Sequence, residues 1–325
     1  MPSPRIPRPS LRLLMAASLL TALVTPLAGC ADRVRAIPLA GDEVLARAPV
    51  ELCGSLALPD QWLEGIPLNG LSDLAREADT GLLYLLSDRG RLHRVRPLFD
   101  NGQLSSLTPI DSQRLRDARG QPLAGADADA ESLTLLHADN ATPGDTELWV
   151  SFERDHRLQR FAPDGTPLAA PIRPPQTSTA SRNQGMEAMT RHPTHGLILG
   201  LEAAPAGVPD KQTRLFSLDG KEWHYPLAAA SGSALTELTT DGDELLALER
   251  AFAPPAPLVI SLRRVRLGEP PRLDVETLAS FSSADGWWLD NMEGMTRLED
   301  GRVLILSDDN ARALQRSLLV CLRPR

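Results

Sequence analysis

Carboxylates recur along this 325-residue chain at fixed places on apolar hairpins. In DNMEGMTRLEDGRVLILSDDN, Asp290 to Asn310, acids stand where the first strand opens and where the second closes, with a turn at Glu299-Asp300-Gly301 between them. The two ends of an antiparallel hairpin away from its turn lie side by side, so Glu293 and Asp308 are expected on one rim. The same reasoning pairs Glu187 with Glu202, Asp73 with Asp88, Glu237 with Glu249 and, across a longer loop, Glu131 with Glu153. A ring of carboxylates in a half-dry opening requires a cation or protons to offset its charge. Calcium suits such hard oxygen donors, because it accepts roughly six to eight of them at flexible angles. The candidate ligands are Glu131, Glu187, Asp290, Glu293, Asp308 and Asp309. Glu187 and Glu293 are the candidates to take a proton from a water activated by that cation. The competing assignment gives each acid to strand-end amides or to an arginine of a neighbouring repeat.

An arginine follows the closing acid in three hairpins, as Asp88-Arg89, Glu153-Arg154 and Glu249-Arg250. Neighbouring side chains on a strand face opposite ways, so only one of each pair can point into the opening. Arg89, Arg154 and Arg250 are candidates to hold a substrate phosphate bidentately. The plainer role is salt bridging between repeats. No G-x-S-x-G nucleophile elbow is present, and the six histidines hold no recurring position. His192 and His195 fall in a hairpin turn and are expected at the surface. His93, His137, His156 and His224 are isolated, which argues against zinc of the clustered His/Cys kind. Trp287-Trp288 precede Asp290 and offer either a stacking surface for a sugar ring or packing between repeats. Met186, Met189, Met292 and Met295 flank the glutamates and are assigned to the core.

The elements that must position these acids are strands. Aligned on Ser72, Glu131, Glu187, Thr236 and Glu293, the five hairpins start 59, 56, 49 and 57 residues apart. That period suits the blades of a β-propeller, about 40–50 residues each plus loops. A further strand follows each hairpin in RLHRVRPL, RLQRFAPDG, TRLFSLDG, PLVISLRRVRL and SLLVCLRP, as the third strand of a blade does. The chain therefore reads as an all-β, single-domain β-propeller of five or six blades. The blade count turns on whether the segments Val44–Leu58 and Gln103–Arg116 form strands of their own blade. Pro171–Arg182 and Pro254–Pro257 read as loops.

Arg5, Arg8 and Arg12 precede an apolar run and then Leu27-Ala28-Gly29-Cys30, the pattern of a secretory signal that ends in a bacterial lipoprotein box. Residues 1–29 are expected to be removed, Cys30 to carry the lipid, residues 30–38 to act as a tether, and residues 39–325 to form the propeller. Loss of the three arginines takes the formal charge from −8 to −11. So acidic a surface argues against nucleic acid or anionic lipid as partner, leaving the N-terminal lipid as the membrane contact. The expected location is the bacterial cell envelope, on its periplasmic or extracellular face, as a monomer. In that oxidising setting Cys53 and Cys321, in strand-like runs at opposite ends of the sequence, either close the ring as a disulfide or remain buried thiols.

GLSDL with LSDRG, DADAESL, NQGMEAM, LALERAF and above all DNMEGMT with LILSDDN resemble the secreted bacterial family called esterase-like activity of phytase, in the same order from about Gly70 to Asn310. The resemblance implies a β-propeller related to calcium-dependent β-propeller phytases, and hydrolysis of phosphate or other esters. Its acid-Gly pattern falls on Glu293-Gly294 and, with the glycine replaced, on Glu131-Ser132 and Glu187-Ala188. Its closing acids fall on Asp88, Glu249, Asp308 and Asp309. The first repeat departs from the pattern, offering Ser72-Asp73. The expected activity is hydrolysis of a small ester or phosphoester by a calcium-activated water. The alternatives are a non-catalytic envelope lipoprotein with a propeller binding platform, and a propeller lactonase.

Overall fold

The computed structural model describes residue 1 and residues 34–63, 65–207, 209, 211–310, 312 and 315–324. The expected signal segment and Cys30 lie outside them. No helix among the described residues is long and apolar enough to cross a membrane.

Five antiparallel sheets are arranged as the blades of a ring. Their innermost strands are Leu71–Glu77, Ala130–Leu136, Met186–His192, Ser233–Asp241 and Asn291–Arg297, each beside the next, with the last packed against the first. Each of the five tail segments read from the sequence is the third strand of its blade, for example Arg91–Asp100 and Leu318–Arg323. The segments that left the blade count open are fourth strands. Gln103–Arg114 completes the first blade, and Glu51–Ala57 pairs with Leu318–Arg323 in the fifth. The propeller therefore has five blades, and its N-terminal strand closes the ring.

The apolar runs are continuous because each middle strand feeds two cores. Along Leu82–Ser87, Leu83 and Leu85 pack toward the fifth blade while Leu82, Tyr84 and Leu86 pack toward the second. Along Val303–Asp308, Val303 and Ile305 face the fourth blade while Leu304 and Leu306 face the first. A strand buried on both faces gains from apolar residues at every position, each side chain contributing about 1.5–3 kcal/mol.

Cys53 is bonded to Cys321 across a sequence separation of 268 residues. Gly54, beside it, has φ +107°, and a Cβ there would lie 2.6 Å from the carbonyl oxygen of Leu104, so only glycine fits this close approach. A crosslink closing so long a loop is worth about 5 kcal/mol in the chain-entropy account. Reduction is accordingly expected to lower the thermal midpoint by on the order of 10 °C, and an unchanged midpoint with both thiols freed would show that the clasp does not hold the ring.

Candidate metal centre at the acidic mouth

Every inner strand carries a register irregularity at the position on which the repeats align. The pairing skips Ser72, Glu187, Thr236 and Glu293, and two residues, Glu131 and Ser132, oppose Ser151. These are β-bulges, which kink a strand and re-aim its side chains. In the second, third and fifth blades the bulge position is glutamate and the next residue is small: Glu131-Ser132, Glu187-Ala188, Glu293-Gly294. In the first and fourth the order is reversed, Ser72-Asp73 and Thr236-Glu237. There the hydroxyl bonds to the neighbouring inner strand, Ser72 Oγ to the Ala130 carbonyl at 2.8 Å and Thr236 Oγ1 to the Met292 carbonyl at 3.3 Å. The carboxyl, one residue later, is fully buried on the propeller axis. Asp73 and Glu237 are thus not members of the rim, because a one-residue shift along a strand sends a side chain another way.

The carboxyls that interact at the mouth are Asp88, Asp129, Glu131, Glu153, Glu187, Glu202, Glu293, Asp308 and Asp309. The expected neighbours Glu187 and Glu202, Glu131 and Glu153, and Glu293 and Asp308 do come together. Glu249 does not join them. It turns between the third and fourth blades, where it accepts bonds from Tyr225 Oη at 2.6 Å, Ala228 N at 2.7 Å, Ser233 Oγ at 2.6 Å and Arg263 Nη1 at 2.6 Å. Its neighbour Arg250 faces the mouth instead and bridges Glu293 at 2.7 Å and Glu202 at 3.3 Å, with Asn291 as a further partner. Asp290 is held by Arg316 at 3.1 Å, so its charge is already offset within the protein. Asp309 accepts from Gly70 N at 3.0 Å.

Charge at the mouth is unevenly offset. Burial and then the neighbouring acids, Glu153 first, hold Glu131 well above the ordinary carboxylate range. Burial and Glu131 do the same to Glu187. Burial pushes Glu153 up to about 7 and Asp308 up to about 8. Glu293 is raised by burial to about 7 although Arg250 opposes the shift. Carboxyls raised by burial and by one another are a site short of positive charge. The shortage centres on Asp129, Glu131 and Glu153, whose ligand oxygens lie within 4.8 Å of one another. Asp129 was not singled out in the sequence, although it lies in the same acid-rich stretch, DADAESL.

The remaining arginines flank this cluster. Arg154 pairs with Asp129 at 2.7 Å, and Arg89 lies 3.7 Å from Asp88. With Arg114 they line a depression of about 380 Å³ that also takes in Asp88 and Asp129. Trp287 packs edge-on against Phe281 in the core, with ring centres 4.8 Å apart, and Trp288 is exposed. His192, expected at the surface, is buried, because its ring staples its own turn by accepting from Thr194 N at 3.1 Å. The four methionines are in the core as expected.

The family model described as esterase-like activity of phytase matches residues 66–311, a span that takes in all five inner strands and the whole acidic mouth. The chain belongs to this family. The match agrees with the resemblance read from the motifs, and it places the bulge glutamates of the phytase-like domain within the shared region. A solved structure, the putative oxidoreductase (glucose dehydrogenase) of Thermus thermophilus, is similar with 14% identity and a TM-score of 0.38, over 89% of this chain and 99% of that one. No curated protein matches the chain.

The donor set of the phytase-like mouth fits a hard divalent cation. Asp129, Glu131 and Glu153 offer only oxygens, Glu187 adds to the negative field around them, and no arginine among the described residues binds Glu131 or Glu187.

Proposed function

We propose that this protein is a calcium-dependent hydrolase of phosphate esters, held on the bacterial cell envelope by a lipid on Cys30. The reading is carried by the carboxyl cluster Asp129, Glu131 and Glu153, in which Arg154 bridges Asp129 while no arginine among the described residues bridges Glu131, beside an arginine-lined depression. Glu187, which interacts with Glu131 and Glu153, and Asp308, which interacts with Asp88, add negative charge around the cluster, whereas Glu293 is partly offset by Arg250 and Asp290 by Arg316. Calcium bound there would offset the carboxyls, polarise a phosphoryl oxygen and acidify a water. Arg89, Arg114 and Arg154 orient the phosphate, since guanidinium forks match its oxygens. Glu187 takes the proton from the attacking water, because it sits in the same field and is tied to no arginine among the described residues. Arg250, placed in the sequence among the substrate ligands, instead fixes Glu202 and Glu293.

The envelope location is supported by the Cys53–Cys321 disulfide, which suits an oxidising compartment. A second reading, a binding platform without turnover, is favoured by Arg250 filling part of the mouth. The deciding assay is turnover of phytate, chromogenic phosphate and carboxylate esters, and lactones by residues 31–325, with calcium and then with chelator. Calcium-dependent phosphate release that disappears in Glu187→Gln supports the proposal. Turnover of lactones or carboxylate esters alone would reassign the substrate class, and a folded, calcium-binding protein inert on all of them would leave the platform.

A further inference from the structure

The inner edge of each blade faces the axis, so its backbone N–H groups have no sheet partner on that side. Two residues after each bulge, at Leu74, Leu133, Met189, Leu238 and Met295, that N–H is aimed inward, and all five are satisfied by two side chains. Asp73 accepts from Leu74 N and Leu133 N, each at 2.6 Å, and from Met295 N. Glu237 Oε1 accepts from Leu238 N at 2.6 Å and Met189 N at 3.0 Å. One pair of carboxyls therefore ties together the inner strands of all five blades. The equivalent residue in the other three blades is small, and at Gly294 a Cβ would lie 2.8 Å from Asp73 Cα and 2.9 Å from its Oδ1. The glycine of the Glu293-Gly294 motif is thus needed as room for Asp73.

The two buried carboxyls lie close enough to interact directly. Glu237 Oε2 is buried and receives no donor from the protein. Two acceptor-only carboxylates in contact repel, whereas a carboxylic acid donating to a carboxylate makes a strong bond. We propose that Asp73 and Glu237 hold one proton between them as an acid–carboxylate pair, Glu237 donating through Oε2, and that this pair positions the bulged glutamates of the mouth. Asp73, with three backbone donors, is the ionised member, and Glu237, with two, is the acid. Burial raises Asp73 to about 7 and Glu237 well above the usual glutamate range, in the direction that keeps the proton in place. Glu131, Glu187 and Glu293 stand two residues before Leu133, Met189 and Met295, so the axial bonds fix the backbone from which the mouth ligands project. The positioning role rests on the mouth being a cation site, but the shared proton does not.

Replacing the acid by an amide keeps its donor, so Glu237→Gln should leave the urea unfolding constant at neutral pH within about threefold of wild type. Asp73→Asn turns amide hydrogens toward backbone N–H groups and should raise that constant on the order of a hundredfold. The infrared difference between wild type and Glu237→Gln should contain a protonated-carboxyl band. Its absence, or an Asp73→Asn variant as stable as Glu237→Gln, would overturn the pair; should Asp73→Asn not fold, the infrared difference decides alone. For positioning, calorimetric calcium affinity should fall tenfold or more in Glu237→Ala and recover in Glu237→Gln. Equal affinity in the two variants overturns positioning alone. A wild type that binds no calcium overturns the cation reading and positioning together, while the infrared result still decides the pair.

Discussion

Without metal, the folded protein is expected to lose stability as pH rises from about 5 to about 8, and calcium is expected to remove that slope. Glu153 and Glu293 near 7, Asp308 near 8, and Glu131 and Glu187 well above the glutamate range all have folded values above their unfolded ones. Between those values the native state holds more protons than the unfolded chain, so stability is greatest in the acid and falls as pH climbs through the folded values. Each retained proton is worth about 1.4 kcal/mol per pH unit. Calcium replaces those protons as the counter-charge, so its binding should release protons into a weakly buffered solution. At a hundred times its dissociation constant it should add about 2.7 kcal/mol, or roughly 5–10 °C in the thermal midpoint. Glu131→Gln should abolish most of this response and should itself stabilise the metal-free protein at pH 8, because it deletes an uncompensated charge. Glu293→Gln should do less, since Arg250 already serves Glu293. A pH-flat midpoint, or a Glu131→Gln variant that responds to calcium like wild type, would rule out the cation site.

Two neighbouring residues on one strand should produce equal losses of stability and different calcium responses. Arg250→Met leaves Glu202 and Glu293 buried without their guanidinium, and Glu249→Ala leaves Arg263 and the Tyr225 hydroxyl without their acceptor. Breaking such a buried pair costs about 3–5 kcal/mol. Calcium should recover part of the loss in Arg250→Met, where two further carboxylates become free for the cation. It should restore nothing beyond the wild-type increment in Glu249→Ala, whose carboxyl lies between blades. Guanidinium chloride unfolding of both variants with and without calcium separates them, and equal calcium increments would mean that Arg250 is not the built-in counter-ion of the mouth.

Periodicity alone determined a propeller built on five hairpins, though not its blade count, and the recurrence of three glutamates in the second, third and fifth repeats, because a hairpin whose middle strand is buried on both faces must feed two cores. It determined the ring closure only as far as two cysteines at opposite ends of the sequence. Whether they bond depended on register, which the bulge at Cys53–Gly54 sets against Cys321. The fold of Gln103–Arg114 and Glu51–Ala57 into existing blades was likewise a matter of tertiary partners, since the same strand signal serves a fourth strand or a new blade. Hairpin geometry brought Glu187 to Glu202 and Glu131 to Glu153, yet it treated all five repeats alike. It could not separate Ser72-Asp73 and Thr236-Glu237 from the Glu-first repeats, because strand pairing fixes which end of a hairpin a residue occupies and not where a bulge aims it. The same limit hid the division between Glu249 and Arg250. Adjacent side chains must face opposite ways, but which one meets the mouth is decided by the blade-to-blade partners, Tyr225 and Arg263 on one side and Glu202 and Glu293 on the other.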